Sequence, residues 1–391
     1  MIHDPKDPFV KKLIKGIKPL PAIADRVLYL ARQNPADFRE IARLIETDSL
    51  LSTMVIRMAN SPMYGLRRSE ARTLNRAIVV LGQQHILDTV GLYITRHMRS
   101  LTNPSWPRGD VSFWRHNIGV AVAARMLATR MGSSHGQLCF IAGLIHDIGK
   151  ICLHTYDPVA YNEVIASTED PERPLYYAEL EAFGISHGAL SGVICKEWHL
   201  PINCVNAVAY HHNEADFITV SVANIIRSAN LLVKICGIGD SGNPYGICAT
   251  KLLLPNPKFV QEDIYKILDE LPIIVDELAS SLLGESAEDL RHADPNMPQI
   301  PIHVHTRRES DRLLLRYLLY SMGYNHGNDI GNKSIVIMDY MPAVQDPSET
   351  IIDFNEWRST QVYNPQEELN ITSLRKWLQN KIIQIESLQF A

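Results

Sequence analysis

The chain has 391 residues, enough for two or three domains, and is 46% hydrophobic and 21% charged, an ordinary globular balance. Its net charge of −5 gives a polyanion no general attraction. The charge is split, with 17 Lys/Arg against 10 Asp/Glu over residues 1–110 and 21 against 33 in the remainder; without a dense Lys/Arg tract, this reads as two solvated surfaces rather than a nucleic-acid footprint.

From residue 21 to about 235 helix follows helix. PAIADRVLYLARQ (21–33) opens on Pro and places Ile23, Val27 and Leu30 on one stripe. DFREIARLIETD (37–48) offers Asp37 as an N-cap with Glu40 at capping-box spacing, and Asp48 can cap SLLSTMVIRMAN. NSPMYG (60–65) ends that helix, and Thr73 caps a short LNRAIVVLG closed by Gly82. Asp110 starts a long helix reaching Met131-Gly132; others are expected over 135–155, 175–183, 186–198, 201–213 and 216–236. The texture then changes. GIGDSGNPYG (237–246) is a loop, and Pro272 should break or kink a helix over 258–283. SAEDLRHADPNMPQIP (286–301) reads as a linker. Strand-like IPIHVH, SIVIMD (334–339), IIDF (351–354) and QVYN (361–364) then alternate with helices at 309–322 and 371–385, the pattern of a small α/β unit.

The six cysteines (139, 152, 195, 204, 236, 248) form no CxxC pair, which points to free thiols in a reducing compartment. MIHDPKDPFVKK lacks the apolar core of a signal peptide, and no apolar run reaches the ~18 residues of a membrane span. The expected location is cytoplasmic, with no membrane partner.

The chemistry concentrates in GLIHDIGK (143–150), where His146 and Asp147 adjoin. Imidazole and carboxylate are both ligands for divalent metals. His116 lies upstream in FWRHNIGVAVAARMLA, His187 downstream in ELEAFGISHGAL, and the pair His211-His212 in AVAYHHNEAD. Separate helices each contributing an imidazole or carboxylate is how helical bundles build metal centres. Lone histidines such as His85 and His97 read as hydrogen-bonded helix-face residues. Lys150 and Arg115 could contact a phosphate, although a solvated helix-end charge is the better reading.

The order His116, His146-Asp147, His187, His211-His212 resembles the HD superfamily of metal-dependent phosphohydrolases. Residues of about 12–235 resemble more closely the HDOD domain, the HD-related output domain of bacterial signalling proteins. LPAIADRVLYLA, IARLIETDSLLSTMVIRMANSPMYG, LNRAIVVLG, FWRH, AGLIHDIGK, E-x-E-x-x-G-x-x-H (179–187), EWHLP (197–201) and HH carry that resemblance. It implies a shared His/Asp cluster and a divalent ion (Fe, Mn, Mg or Zn) as the group such a cluster would hold. Two departures argue against hydrolysis. Where HD phosphohydrolases supply a further Asp after the double His, VSVANIIRSAN offers Asn224, which lacks the charge that helps hold an ion. HHNEADFITV also lacks the Gly-Tyr-Pro of the class that cleaves cyclic di-GMP.

SIVIMDYMP resembles the third strand of two-component receiver domains, with Asp339 at the phosphate-accepting place, and IPIHVHTRRESDRLLLRYLLYSMGY resembles the first strand and helix. The first strand is followed by HTRRES rather than an acidic pair, and Asn364 stands for the usual Lys. Asp339 should therefore take no phosphate from acetyl phosphate, since nothing early in the segment holds the Mg²⁺ that offsets charge on the phosphoryl group. Incorporation of phosphate that disappears in Asp339→Asn would refute this.

The resulting expectation is a mainly α protein followed by a small α/β unit. Residues 1–236 form an HDOD-like helical domain with halves at 12–100 and 110–236, residues 237–298 a connector and linker, and residues 299–391 a degenerate receiver-like domain. The metal-ligand candidates are His116, His146, Asp147, His187, His211, His212 and Asn224, with no catalytic residue assigned. The expected function is non-enzymatic signalling output or scaffolding, with signalling proteins as partners. A second copy of the chain, or a small phosphorylated ligand or nucleotide, could also bind. The alternative is a metal-dependent phosphohydrolase.

Overall fold

The computed structural model describes residues 7–15, 20–31, 38–60, 71–99, 106, 110–168, 175–212, 221–242 and 261–283, together with five short strands and a few residues between 374 and 381. The first part runs α1 (Pro8–Ile14), α2 (Ala22–Ala31), α3 (Phe38–Glu46), α4 (Ser49–Asn60) and α5 (Leu74–Arg99). Asp48 caps α4 as its position suggests, accepting from the amide of Leu51 at 2.8 Å, and its other oxygen accepts from the hydroxyl of Tyr93 at 2.8 Å. The Asp37 cap lies outside the described residues; Glu40 pairs with Arg26 at 2.9 Å. Thr73 caps α5. The expected stop at Gly82 is a break inside α5, where φ is 65° and ψ 178°, a conformation open to glycine alone. The chain then turns back into helix through Arg99, a segment for which the sequence reading gave no element.

The second part contains α6 (Asp110–Arg130), α7 (Gly136–Ile145), α8 (Ile148–Tyr156), α9 (Pro158–Ser167), α10 (Leu175–Phe183), α11 (His187–Glu197), α12 (Ile202–Ala209), α13 (Val222–Cys236) and α14 (Gln261–Leu283). α6 is the axis of this part. Every residue from Phe113 to Ala128 is buried, as expected of a helix enclosed on all sides, here by α7, α13 and α14. The expected single helix over 135–155 is two. His146 and Asp147 occupy the junction, with Asp147 at φ −99°, ψ 7°, so that the chain turns between α7 and α8. α9 was not anticipated, although Asp157 followed by Pro158 is a strong start signal and its side chain accepts from the amide of Ala160. The helix expected over 201–213 ends at Ala209, leaving His211 and His212 in the turn that follows.

Pro272 does not break α14. Proline removes one backbone donor from the ladder, but the buried face of Ile264, Ile267, Leu268, Leu271, Val275, Leu278 and Ala279 keeps the segment on the core. The stretch Gly136–Tyr156, across α7 and α8, is long and apolar enough on average to cross a membrane, although no uninterrupted apolar run in it is that long. It is, however, interrupted at His146-Asp147, and 78% of its apolar window is buried inside the molecule. Among the described residues, five cysteines are free and buried.

Beyond α14, strands β2 (Ile302–His305), β3 (Ser334–Met338) and β4 (Glu349–Asp353) pair in parallel in that order. β1 (Tyr245–Ile247), within and just past the expected loop, pairs antiparallel with β5 (Glu368–Asn370). Asp339, Asn364, the strand expected at 361–364, the helix at 309–322 and the linker at 286–301 lie outside the described residues.

Candidate metal centre

The turn between α7 and α8 points His146 and Asp147 into the space enclosed by α6, α11 and the end of α12. The structure brings six of the seven candidate ligands together there. His116 from α6 and His146 have ring centroids 5.5 Å apart. His146 and His211 are 5.0 Å apart, His187 and His211 5.3 Å, and His187 and His212 4.9 Å. Asp147 is the hub. Its Oδ2 lies 3.4 Å from Nε2 of His146 and 3.9 Å from Nε2 of His116, and its Oδ1 lies 3.3 Å from Nε2 of His187 and 3.6 Å from Nε2 of His211. These five side chains are essentially buried, none more than 1% exposed, whereas His212 is half-buried.

Three of the imidazoles are aimed by their other nitrogen. Nδ1 of His146 is 2.8 Å from the carbonyl of Gly143, and Nδ1 of His211 is 2.7 Å from that of Val208. Nδ1 of His187 is 2.6 Å from Oε2 of Glu179, which also accepts the His187 amide at 2.7 Å. Oε1 of Glu179 accepts the hydroxyl of Tyr161 at 2.7 Å, so this buried carboxylate is fully engaged. A histidine donating from Nδ1 presents the Nε2 lone pair, and such outer partners are the usual support of metal-bound imidazoles. The sequence showed Glu179 within a motif but gave it no role.

The donors fit a divalent ion. Nε2 of His116, His146 and His211 and Oδ1 of Asp147 are buried without a hydrogen-bond partner, and all converge on the same space. Buried polar atoms without partners are costly, so four in one place indicate an ion or water that satisfies them. Two ligand groups share Asp147: one is His116, His146 and Asp147, the other Asp147, His187, His211 and His212, with the donor atoms of each group within 4.8 Å of one another.

Asn224 is held differently. Its Oδ1 accepts from Nη1 of Arg227 at 2.9 Å, and that guanidinium also bonds the carbonyls of Tyr210 and His211. A ligand oxygen already bonded to a cation is a poor donor to a second one. Lys150 is not a solvated charge but fully buried, donating to Oδ2 of Asp147 at 2.7 Å and to the carbonyl and hydroxyl of Ser241 at 3.2 and 3.0 Å. Arg115, also read as a solvated charge, is buried and paired with Asp276 of α14. His85 follows the plain reading, with Nδ1 2.7 Å from the carbonyl of Leu81.

Burial, with His146 beside it, holds His116 well below the usual imidazole range, and burial with His212 does the same for His211. For Asp147 burial works upward but is overcome by His146 and Lys150, so it stays well below the ordinary carboxylate range. His187 is raised, because Glu179 outweighs the cost of burial. In chelator-treated protein these directions set a pH dependence. Unfolded histidine binds its proton near pH 6.5 (about the model-peptide value); folded His116 and His211 bind theirs well below it, so the unfolded state takes up more protons as the pH falls through that value. His187, raised, opposes this only near the unfolded value and adds no slope once the unfolded histidine is protonated as well, whereas two histidines act in the other direction. The melting temperature should therefore drop as the pH is lowered from about 6.5 towards 5, and a flat or rising profile would contradict the assigned directions.

Three solved structures share the fold. An HDOD domain protein of unknown function from Geobacter sulfurreducens superposes with a TM-score of 0.54 at 22% identity, covering 71% of this chain and 94% of its own. A protein from Marinobacter aquaeolei VT8, provisionally assigned by name to signal transduction, gives 0.57 at 21%, covering 73% and 68%. One from Shewanella amazonensis SB2B, provisionally named a phosphohydrolase, gives 0.52 at 17%, covering 73% and 97%. Identities this low establish the fold alone. The chain spans 38% or less of the length of the curated relatives it matches. Residues 17–214, half of the chain, match the HDOD domain itself, and the chain belongs to the HDOD family.

Proposed function

We propose that the chain is a cytoplasmic signal-output or scaffold protein whose His/Asp centre is part of the architecture and performs no hydrolysis. The observation that carries this reading is the internal use of Asp147. One carboxylate oxygen is committed to a buried lysine, the other faces imidazoles, and Asn224, where a further carboxylate would add charge, is bonded to Arg227. A hydrolytic centre needs anionic ligands to neutralise its ion and a route for substrate; here Asp147 and four of the histidines are at most 1% exposed. A buried, mutually oriented polar network of this kind specifies helix packing.

The partners of such a module are signalling proteins or a second copy of the chain, with a small phosphorylated ligand or nucleotide as a further option. The segment over 299–391 we read as a degenerate receiver-like unit. Parallel pairing of β2, β3 and β4 supports an α/β arrangement, since parallel neighbours require crossover connections.

The second reading, a metal-dependent phosphohydrolase, is favoured by the partnerless donor atoms of His116, His146, Asp147 and His211. An ion held there would supply Lewis acidity for cleavage of a phosphoester. The experiment is an assay of the full chain, purified without chelators, against phosphomonoesters, phosphodiesters and nucleotides with Mn²⁺ or Fe²⁺ added. No turnover is expected. Turnover that requires the added metal and disappears in His146→Ala would establish the hydrolase instead.

A further inference from the structure

The two ligand groups that meet at Asp147 are not equivalent, and Lys150 decides between them. We infer that the centre takes a single first-row divalent ion on Oδ1 of Asp147, His187, His211 and His212, while the ammonium of Lys150 stands in for a second cation on the His116/His146 side.

The donor distances support the first half. In a tetrahedral site with bonds of about 2.0–2.1 Å, neighbouring donors lie roughly 3.3–3.4 Å apart. Nε2 of His187 lies 3.1 Å from Nε2 of His212 and 3.3 Å from Oδ1 of Asp147, and Oδ1 lies 3.6 Å from Nε2 of His211. The group has four donors, the number a closed tetrahedral site requires. Two imidazole nitrogens facing each other at 3.1 Å must share a proton or a cation. Glu179, on the far nitrogen of His187, makes that ring more basic towards either. Oδ1 itself has no hydrogen-bond partner and is buried.

On the other side Nε2 of His116 and of His146 have no hydrogen-bond partner, but the carboxylate oxygen an ion would need there is already taken. It offers three donors, with Oδ2 3.4 Å from His146 and 3.9 Å from His116, and Oδ2 is the oxygen that Lys150 occupies at 2.7 Å. The lysine is completely buried and pinned from behind by both oxygens of Ser241, so it has no solvent to swing into. A divalent ion on the same oxygen would lie next to a fixed positive charge in a weakly screened interior. The carboxylate is thus divided, one oxygen for a built-in cation and one for an ion taken from solution.

This deepens the reading of the centre as a buried, non-catalytic one and rests on it. That reading is tested by turnover and this inference by binding, so each can fail separately. The full chain is stripped with a chelator and titrated with Co²⁺, whose visible spectrum reports tetrahedral coordination, and bound cobalt per chain is measured. One ion per chain with a tetrahedral spectrum is expected. His212→Ala, at a half-buried position least apt to upset folding, should weaken binding at least about tenfold, whereas folded His116→Ala should keep one ion with the same spectrum. Lys150→Gln should raise the content towards two. Two ions in the unmodified chain, no ion at all, loss of the ion in His116→Ala but not in His212→Ala, or a Lys150→Gln protein that folds and still holds one would each overturn the assignment.

Discussion

Replacing Asp147 with alanine should lower the melting temperature by on the order of 10 °C. The side chain is the only carboxylate among the described residues to which Lys150 is hydrogen-bonded, and Lys150 is completely buried. Removing one member of a buried ion pair costs about 3–5 kcal/mol, because the survivor keeps its desolvation penalty without its partner. At roughly 2–4 °C per kcal/mol for large domains, that gives the stated shift. Ser241 would retain two bonds to the ammonium through neutral oxygens, which limits the loss without abolishing it. Asp147→Asn, of the same shape but uncharged, should fall between the alanine variant and the parent. The hydrolase reading anticipates a different pattern, a melting temperature near the parent's with metal and turnover both lost. Thermal melts of the three chelator-treated proteins separate the two, and an unchanged midpoint in Asp147→Ala would remove the architectural role.

How far the sequence reveals this site can be followed residue by residue. His116, His146, Asp147, His187, His211 and His212 could be named because each sits in a recognisable block, and their order implied a common destination. The helices were legible where caps and apolar spacing agreed, as at Asp48, Thr73 and Asp110. The break at His146-Asp147 was not legible, since GLIHDIGK is apolar on both sides and carries no proline; tertiary contact with α11, not local propensity, sets the turn. At Pro272 the expected break does not occur, a strong local breaker overridden by a buried face. Lys150 and Arg115 looked like surface charges because nothing in a linear reading shows that Ser241 and Asp276, roughly 90 and 160 residues away, come to meet them. The partner of Asn224 lies only three residues on, at Arg227, and was readable in principle from helical spacing.

The glycine inside the motif has as sharp a role as the ligands. Gly149 lies in the first turn of α8, and its amide donates to the hydroxyl of Ser191 in α11 at 2.8 Å. A methyl group on Gly149 would fall 2.2 Å from the carbonyl oxygen of His187 and 2.9 Å from both its carbonyl carbon and the Ser191 hydroxyl. These neighbours are largely backbone and cannot rotate away, so α8 and α11 must separate by on the order of 1 Å to restore ordinary contact. Overpacking of this kind costs about 1–3 kcal/mol, with this site at the upper end or beyond because the obstacle is main chain. The helix-propensity gain from glycine to alanine, about 1 kcal/mol at most, does not offset it. The displacement acts on His187, now 3.3 Å from Asp147, and so loosens the centre as well as the fold. Gly149→Ala should therefore lower the melting temperature by about 5–10 °C and weaken Co²⁺ binding together. Gly136→Ala is the control, since its added methyl would meet the side chain of Ala128 at an ordinary 3.8 Å, and it should be neutral or slightly stabilising. A Gly149→Ala protein as stable as the parent would mean that the close approach of α8 to α11 is not what holds His187 against Asp147.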